Sequence, residues 1–416
     1  MTTDPKRREQ ITEEFQRRFG AAPILWARAP GRVDLMGSHT DYNLGCVLTL
    51  PIDRDTWIAA CPRKDRLVRL YSPNMEAEKS FSLDCLGSGT PPCWTNYVRG
   101  VAWVLQAEGF PLRGFDGIIH STVPLRSGLG SSAALECAAA TVFAAMDGWK
   151  LDPVRKALLC QRAENRFVGV NCGILDQYTS CAGRAGCALL LSCRDLTSRP
   201  VQLPAGLGVV ICDTRSKREL AGSEYGQRRA QCEEGARRLK VQALCQMTPQ
   251  DFHARRGELP AEVAQRCRFI VEENERVFKL AEALAAFDRT AIQQLSADSF
   301  RGACELYEIG VSSMHAMMKA MLGAPGVIGA RQAGAGFGGC MEAFVESAAV
   351  EAFAASVRQT YFWETKTQCE VYPVEPADGA GLLALPEGTS GIIDKPNPAG
   401  TLSSTSASAP PTRTTL

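Results

Sequence analysis

Residues 30–45 read Pro-Gly-Arg-Val-Asp-Leu-Met-Gly-Ser-His-Thr-Asp-Tyr-Asn-Leu-Gly, and this stretch decides the fold. It sets Arg32, His39 and Asp41 among prolines and glycines, which helices avoid. Side chains with so many donors and acceptors are costly in a core unless each is paired. We therefore expect a polar loop that binds a ligand rich in hydroxyl groups. The alternative is a polar turn between two strands.

The composition is that of a water-soluble globular protein with more than one domain. The chain has 416 residues, of which 45% are hydrophobic and 22% are charged. Its net charge of +1 argues against nucleic acid as the main partner, since such proteins usually carry a basic surplus. We expect no membrane span and no signal peptide, because apolar runs of the required length are missing.

The cysteine and histidine patterns bear on compartment and metal binding. The 17 cysteines are scattered singly without a C-x-x-C pair. That usage predicts a reducing cytoplasm, in which cysteine serves as a small apolar residue. The four histidines are not spaced as zinc ligands, so a histidine-based metal site is not expected.

Helical and strand-like segments occur without regular βαβ alternation, which predicts an α+β fold. The patterns predict strands at 24–28, 47–50, 56–60, 117–120, 187–191 and 209–212, and helices at 5–19, 131–146, 222–246 and 261–287. A polar, proline-containing stretch at 196–204 separates two strand-like runs. We therefore expect one domain over 1–200, a second over 201–385, and a disordered tail rich in Ser, Thr and Pro over 386–416.

A loop of small residues leads into the predicted buried helix at 131–146. It reads Pro-Leu-Arg-Ser-Gly-Leu-Gly-Ser-Ser-Ala-Ala over residues 124–134. The first N–H groups of a helix lack internal partners and attract phosphate. A strand-to-helix turn with a serine N-cap needs similar residues, so phosphate binding and a plain turn both remain open. The Walker A sequence and the protein-kinase motifs do not occur in the chain.

Two further motifs carry candidate chemistry. Gly173-Ile174-Leu175-Asp176-Gln177 places Asp176 where a helix could begin, which would favour the ionised carboxylate. Such a carboxylate could act as a base beside Arg32, although an N-cap Asp and a surface Arg are the simpler interpretation. Residues 334–339 fit G-x-G-x-x-G, yet the pattern about 20 residues later is helical. An NAD-linked sugar dehydrogenase is therefore a weak alternative.

These segments together resemble the motifs of the galactokinases, a branch of the GHMP small-molecule kinases. The likeness extends through residues 94–100 and 223–234 and covers nearly the whole chain except the tail. It implies a two-domain fold with an N-terminal domain like that of ribosomal protein S5 and a ferredoxin-like C-terminal domain. It also implies transfer of phosphate from ATP to the anomeric hydroxyl of galactose, giving galactose 1-phosphate and ADP.

The resemblance also implies roles for individual residues. Asp176 would be the catalytic base and Arg32 its electrostatic partner. The sugar would be bound by Ser38, His39, Asp41, Gly173 and Tyr225. The implied ATP-binding residues are Trp94, Gly128, Leu129, Gly130, Ser131, Ser132 and Ala133. Ser132 and Glu164 would hold Mg²⁺, which is needed to offset the repulsion between triphosphate and carboxylates.

The chain departs from the usual galactokinase motif at three places. Asp34 replaces an Asn, Ser38 replaces a Glu that in the family accepts a hydrogen bond from the C6 hydroxyl, and Arg218 stands where His is common. Loss of a charged acceptor costs about 1.5–3 kcal/mol of discrimination. L-arabinose or galacturonate is therefore an alternative substrate. A sugar- and ATP-binding transcriptional sensor without activity is the alternative from another class, and the oligomeric state stays open, a monomer included.

Overall fold

The computed structural model describes residues 4–88, 90–125, 127–216 and 221–384, apart from the side chains of 221–223. Its strands are β1 (Leu25–Met36), β2 (Cys46–Pro62), β3 (Leu67–Ser72), β4 (Ala77–Ser82), β5 (Phe115–Ser121), β6 (Cys187–Ser192), β7 (Thr197–Gln202), β8 (Leu207–Asp213), β9 (Val327–Gln332), β10 (Cys340–Glu346), β11 (Glu370–Val374) and β12 (Gly381–Leu382). Its helices are α1 (Pro5–Phe19), α2 (Asn96–Ala107), α3 (Ser131–Asp147), α4 (Pro153–Ala163), α5 (Leu175–Ala182), α6 (Ala221–Arg238), α7 (Pro249–Arg255), α8 (Ala261–Ala286), α9 (Arg289–Glu305), α10 (Ser312–Leu322) and α11 (Val350–Thr365). None of these helices is long and apolar enough to cross a membrane.

The first sheet carries the polar stretch at 30–45. Its strand order is β12-β1-β2-β5-β3-β4, and β6 joins β2 and β7. The strand predicted at 24–28 in fact continues to Met36, so half of the expected loop is extended chain. Its pairing with β2 shifts register between Pro30 and Arg32, which lets Pro30 lie within a strand. The strands predicted at 47–50 and 56–60 are wrong as separate elements, because β2 runs through both.

The helices show where capping fixes the boundaries. Helix α1 begins after the Asp4 N-cap and ends at Gly20 in the left-handed region, as predicted. Helix α3 matches the predicted buried helix within one residue. The prediction of one helix over 222–246 is wrong, because α6 ends at Arg238. Lys240 then adopts a φ of 51°, and the chain turns to bury Leu244 in the core.

The second sheet has the antiparallel order β11-β8-β10-β9, and α9, α10 and α11 pack against its strands. One apolar cluster connects the two sheets. It includes Leu50 from the first sheet, Ile211 from the second and Leu280 from α8. The short strand β12 returns to the first sheet, where Leu382 pairs with Ala27. The domain boundary near residue 200 stays a prediction, and the predicted tail at 386–416 lies outside the described residues.

Candidate active site

Arg32 and Asp176 form a preorganised pair between β1 and the first turn of α5. The Arg32 Nε donates to Asp176 Oδ1 over 2.9 Å, and Nη2 donates to the same oxygen. Helix α5 is held against β1 because the Ser180 hydroxyl donates to the Pro30 carbonyl over 2.8 Å. The Asp176 side chain keeps about a quarter of its surface exposed, at 26%. A carboxylate held in this way can contact a ligand while the positive charge of Arg32 balances its own charge.

The same arginine connects this pair to the loop at 128–133, which we call the glycine-rich loop. Burial disfavours the charge of Arg32, but the carboxylates of Asp176 and Asp34 outweigh it and raise its pKa. Its Nη1 donates to the Gly128 carbonyl, and its backbone N–H donates to the Leu129 carbonyl over 2.9 Å. The loop is therefore fixed to the strand that carries the predicted catalytic arginine.

A cavity of about 680 Å³ opens in front of the pair. The predicted site residues that line it are Arg32, His39, Asp41, Gly128, Glu164, Gly173, Asp176 and Tyr225. A Cβ atom at Gly173 would lie 1.8 Å from Asp41 Oδ2, so only glycine permits this approach. Burial raises the pKa of Asp41 to about 6, although a backbone hydrogen bond from Tyr42 opposes the shift. The cavity thus offers carboxylate acceptors of the kind that sugar hydroxyls require.

His39 helps to form the wall of this cavity. Its Nε2 lies 3.0 Å from the Ala335 carbonyl, and its Nδ1 lies 2.8 Å from the Tyr42 hydroxyl. Burial lowers the pKa of His39 to about 4, so the ring is neutral at pH 7. A neutral ring donates from Nε2 to the carbonyl and accepts at Nδ1. Because protein groups engage both nitrogens, direct sugar binding by His39 stays a prediction.

A second cavity, of about 410 Å³, lies on the other side of the glycine-rich loop. Trp94, Ser131 and Ser132 line it, together with apolar residues such as Leu135. The Trp94 Nε1 is buried and finds no hydrogen-bond partner among the described residues. Gly128 borders the first cavity and the two serines border the second, so the loop lies between them. A nucleotide in one cavity can therefore present a phosphate to a ligand in the other.

Comparisons with known proteins identify the family. The model of the GHMP kinases N terminal domain matches residues 96–184, and the galactokinase galactose-binding signature matches residues 13–62. A galactokinase of Chloroflexus aggregans is 43% identical over 380 residues, which are 90% of this chain and 97% of that protein. A galactokinase of Roseiflexus sp. is 40% identical over 379 residues, with the same coverage of 90% and 97%. The chain belongs to the galactokinase family.

Solved structures of GHMP kinases share the fold. Lactococcus lactis galactokinase, solved in complex with galactose, matches with a TM-score of 0.86 and 31% identity, over 89% of this chain and 98% of that one. Methanococcus jannaschii mevalonate kinase matches with a TM-score of 0.61 and 15% identity, over 85% and 98%, which bears on the fold alone. The predicted α+β fold of the GHMP kinases is confirmed. As a galactokinase-family member the chain is a sugar kinase with ATP as co-substrate, and not a dehydrogenase.

The predicted magnesium ligands of this galactokinase-family chain meet near the start of α3. The Ser132 side chain hydrogen-bonds to Glu164, whose pKa is raised to about 7 by burial and by the charge of Asp176. The Gln177 Nε2 donates to Glu164 over 2.5 Å and to Glu136 over 3.1 Å. The described ranges hold no group of three His, Cys, Asp or Glu arranged for a metal. This donor set fits Mg²⁺, which usually takes one or two carboxylates plus phosphate and water.

Glu136 is a residue that sequence reasoning missed. It is fully buried on α3, and burial together with Glu164 raises its pKa well above the usual range. Its Oε1 lacks a hydrogen-bond partner within the described part of the chain. One signal could have found it, since it is the only charged residue between Ser131 and Met146 in a strongly apolar helix.

Ser38 is buried, and its hydroxyl accepts from Arg331 Nη2 over 2.9 Å. Arg331 is itself fully buried and pairs with Glu273 at 3.0 Å and with Glu342 at 3.2 Å. We call these residues, Ser38, Glu273, Arg331 and Glu342, the Arg331 cluster. The role of Ser38 at the sugar C6 position stays a prediction, and Arg218 lies outside the described residues.

Substituting Ser38→Glu is expected to destabilise the fold by about 1–3 kcal/mol. The change forces a larger side chain and a third carboxyl group into the closed space around Arg331. Urea unfolding measures it, with Ser38→Ala as the control of similar size. Unchanged stability combined with a shift toward galactose would instead show that position 38 reaches the sugar.

Substituting Trp94→Ala is expected to raise KM for ATP about tenfold, because a stacked base loses its aromatic partner. The KM for the sugar should stay within about twofold, since Trp94 lines only the second cavity. Initial rates at varied ATP concentration measure this. Trp363→Ala is the matched control, because Trp363 is exposed on α11. An unchanged KM for ATP would remove Trp94 from the nucleotide site.

Proposed function

We propose that this protein transfers the γ-phosphoryl group of ATP to the anomeric hydroxyl of galactose, giving galactose 1-phosphate and ADP. The observation that carries the proposal is the ion pair of Arg32 with Asp176, placed between the sugar-sized cavity and the glycine-rich loop. The galactokinase relatives at 40–43% identity and the galactose-bound Lactococcus galactokinase support the choice of substrate.

The geometry supports direct transfer without a covalent intermediate. The anomeric hydroxyl lies against Asp176, which takes its proton as the oxygen attacks the γ-phosphorus. The bond from that phosphorus to the bridging oxygen breaks, and ADP leaves. Arg32 orients the Asp176 carboxylate through two hydrogen bonds and stabilises the negative charge on the transferring group. The two hydrogen bonds between Arg32 and Asp176 hold both side chains in position, which lowers the cost of reorganisation during the transfer.

The nucleotide would occupy the second cavity, with its base against Trp94. The phosphates would lie at the loop from Gly128 to Ala133, where the first N–H groups of α3 have no helical partner. Mg²⁺ held by Ser132 and Glu164 would neutralise the phosphate charge that would otherwise be repelled by the buried carboxylates. The six loop residues at 128–133 thus act mainly through position and backbone dipoles, whereas Trp94 acts through its ring.

The sugar would be bound by Asp41, Tyr225 and the open surface at Gly173, with His39 orienting the aromatic wall. The His39 and Tyr225 rings lie 5.3 Å apart between centroids. We assign the sugar signature, the phosphate loop and Asp176 to a domain over 1–200, and we assign Tyr225 to a second domain over 201–385. A cytoplasmic location is supported by the 17 cysteines, which are scattered singly without a C-x-x-C pair.

A coupled assay of ADP release tests the proposal. We expect turnover with galactose and rates at least about tenfold lower with L-arabinose and galacturonate at equal concentration, because both differ at C6. Faster turnover of either sugar would move the assignment to a C6-altered substrate. Binding of sugar and ATP without ADP release would make the protein a sensor.

A further inference from the structure

Asp34 brings a second carboxyl group to the sugar cavity. It stands two residues after Arg32 on β1, so both side chains lie on the same face of the strand. Asp34 Oδ1 is 3.2 Å from Arg32 Nε, and Asp34 is among the residues that line the cavity. The side chain is 5% exposed, so its charge and its hydrogen bonds are set almost entirely by the site.

The hydrogen bonding of this carboxyl group is incomplete. The Arg32 Nε hydrogen is donated to Asp176, and Asp34 Oδ1 has no hydrogen-bond partner within the residues that the structure describes. A buried polar atom left unpaired is costly, and such atoms in native proteins usually have a donor. A hydroxyl group of a ligand in the cavity would supply the missing hydrogen-bond donor to Asp34 Oδ1. Burial also raises the pKa of Asp34, although Arg32 opposes the shift.

The hydroxyl of Ser38, four residues later, already has a hydrogen-bond partner within the protein. It is engaged by Arg331, and the same guanidinium donates from Nη1 to the Asp34 backbone carbonyl over 2.8 Å. Arg331 thus fixes the backbone at Asp34 and withdraws the side chain of Ser38 from the ligand. Of these two positions, Asp34 is the one that presents an acceptor to the cavity.

We propose that Asp34 is a specificity-determining residue whose carboxyl group hydrogen-bonds one hydroxyl of the bound sugar. This inference rests on the proposed function, because it takes the ligand of the cavity to be galactose. The contacted hydroxyl should be near the reacting end of the sugar, since Asp34 and Asp176 share the Arg32 guanidinium. The 2-deoxy sugar is therefore the first one to test.

The test is a panel of galactose and its 2-, 3-, 4- and 6-deoxy analogues, assayed with the unaltered enzyme and with Asp34→Ala. With galactose, we expect kcat/KM to fall about 10- to 100-fold in the variant, the loss typical of one hydrogen bond to a charged group. With the analogue that lacks the contacted hydroxyl, the fall should be less than about twofold, because the contact is already missing. An equal loss with all five sugars would overturn the proposal.

Two further measurements keep the result interpretable. Asp34→Asn retains an acceptor oxygen and should show the same pattern with a smaller loss, even if the alanine variant fails to fold. Asp84→Asn, at a side chain that is 67% exposed, is the matched control and should leave all five rates unchanged. If the unaltered enzyme does not turn over galactose, the proposed function fails. In that case calorimetric affinities of the same five sugars test the Asp34 contact. Asp34→Ala should then weaken binding of galactose but not of the analogue that lacks the contacted hydroxyl.

Discussion

Substituting Asp176→Asn is expected to lower kcat for galactose by about 10²–10⁴-fold, the usual contribution of a positioned general base. The amide keeps the size of the side chain but cannot accept the proton of the anomeric hydroxyl at neutral pH. Initial rates of ADP release at saturating ATP and sugar measure the effect.

The control for this experiment is Asp195→Asn, because Asp195 lies in the exposed turn between β6 and β7. Sugar affinity of the Asp176 variant, measured by calorimetry, should change much less than kcat. Full activity in the Asp176 variant would refute the assignment of the base. A loss confined to KM would make Asp176 a binding residue rather than the base.

Substituting Arg331→Met is expected to destabilise the protein by about 3–5 kcal/mol, as is typical when one partner of a buried ion pair is removed. Glu273 would lose one of its two arginines, and the Ser38 hydroxyl and the Asp34 carbonyl would lose a donor. Urea unfolding followed by circular dichroism measures the free energy of unfolding.

Glu342→Gln is the matched control within the same cluster. Burial raises the pKa of Glu342 to about 8 although Arg331 opposes the shift, so at pH 7 this group is largely protonated. Its replacement by an amide therefore changes the charge little, and we expect a small effect. A loss of stability below about 0.5 kcal/mol for Arg331→Met would be typical of a surface position. It would show that removing Arg331 leaves no costly unpaired charge in the Arg331 cluster.

Local sequence signals predicted those helix and strand boundaries that are set by residues close to them in the chain. Helix α1 begins at an Asp-Pro cap and ends at Gly20, and both boundaries are visible in the sequence. Strand β1 was underestimated because Pro30 and Gly31 suggest a loop, and only the register shift against β2 accommodates them. Helix α6 was overestimated, since charged residues continue a helical pattern past Arg238 while the core requires Leu244.

The site shows the same division between local and long-range information. The motif residues Arg32 and Asp176 were found from the sequence, although 144 positions separate them. Arg331 was missed because nothing near it in sequence indicates that it meets Ser38, 293 positions away. Likewise Asp34 Oδ1 has no hydrogen-bond partner in the described part of the chain because the Arg32 Nε hydrogen is donated to Asp176, and no short sequence pattern encodes that choice.

The return of β12 to the first sheet has a consequence for synthesis in the cell. Strand β1, which carries Arg32, has β2 on one side and β12 on the other. Ala380 and Gly379, just before β12, donate to the carbonyls of Ser180 and Gly183 at the end of α5, the helix that begins beside Asp176. A ribosome must therefore translate beyond Leu382 before the strand and the helix that hold the catalytic pair have all of their neighbours.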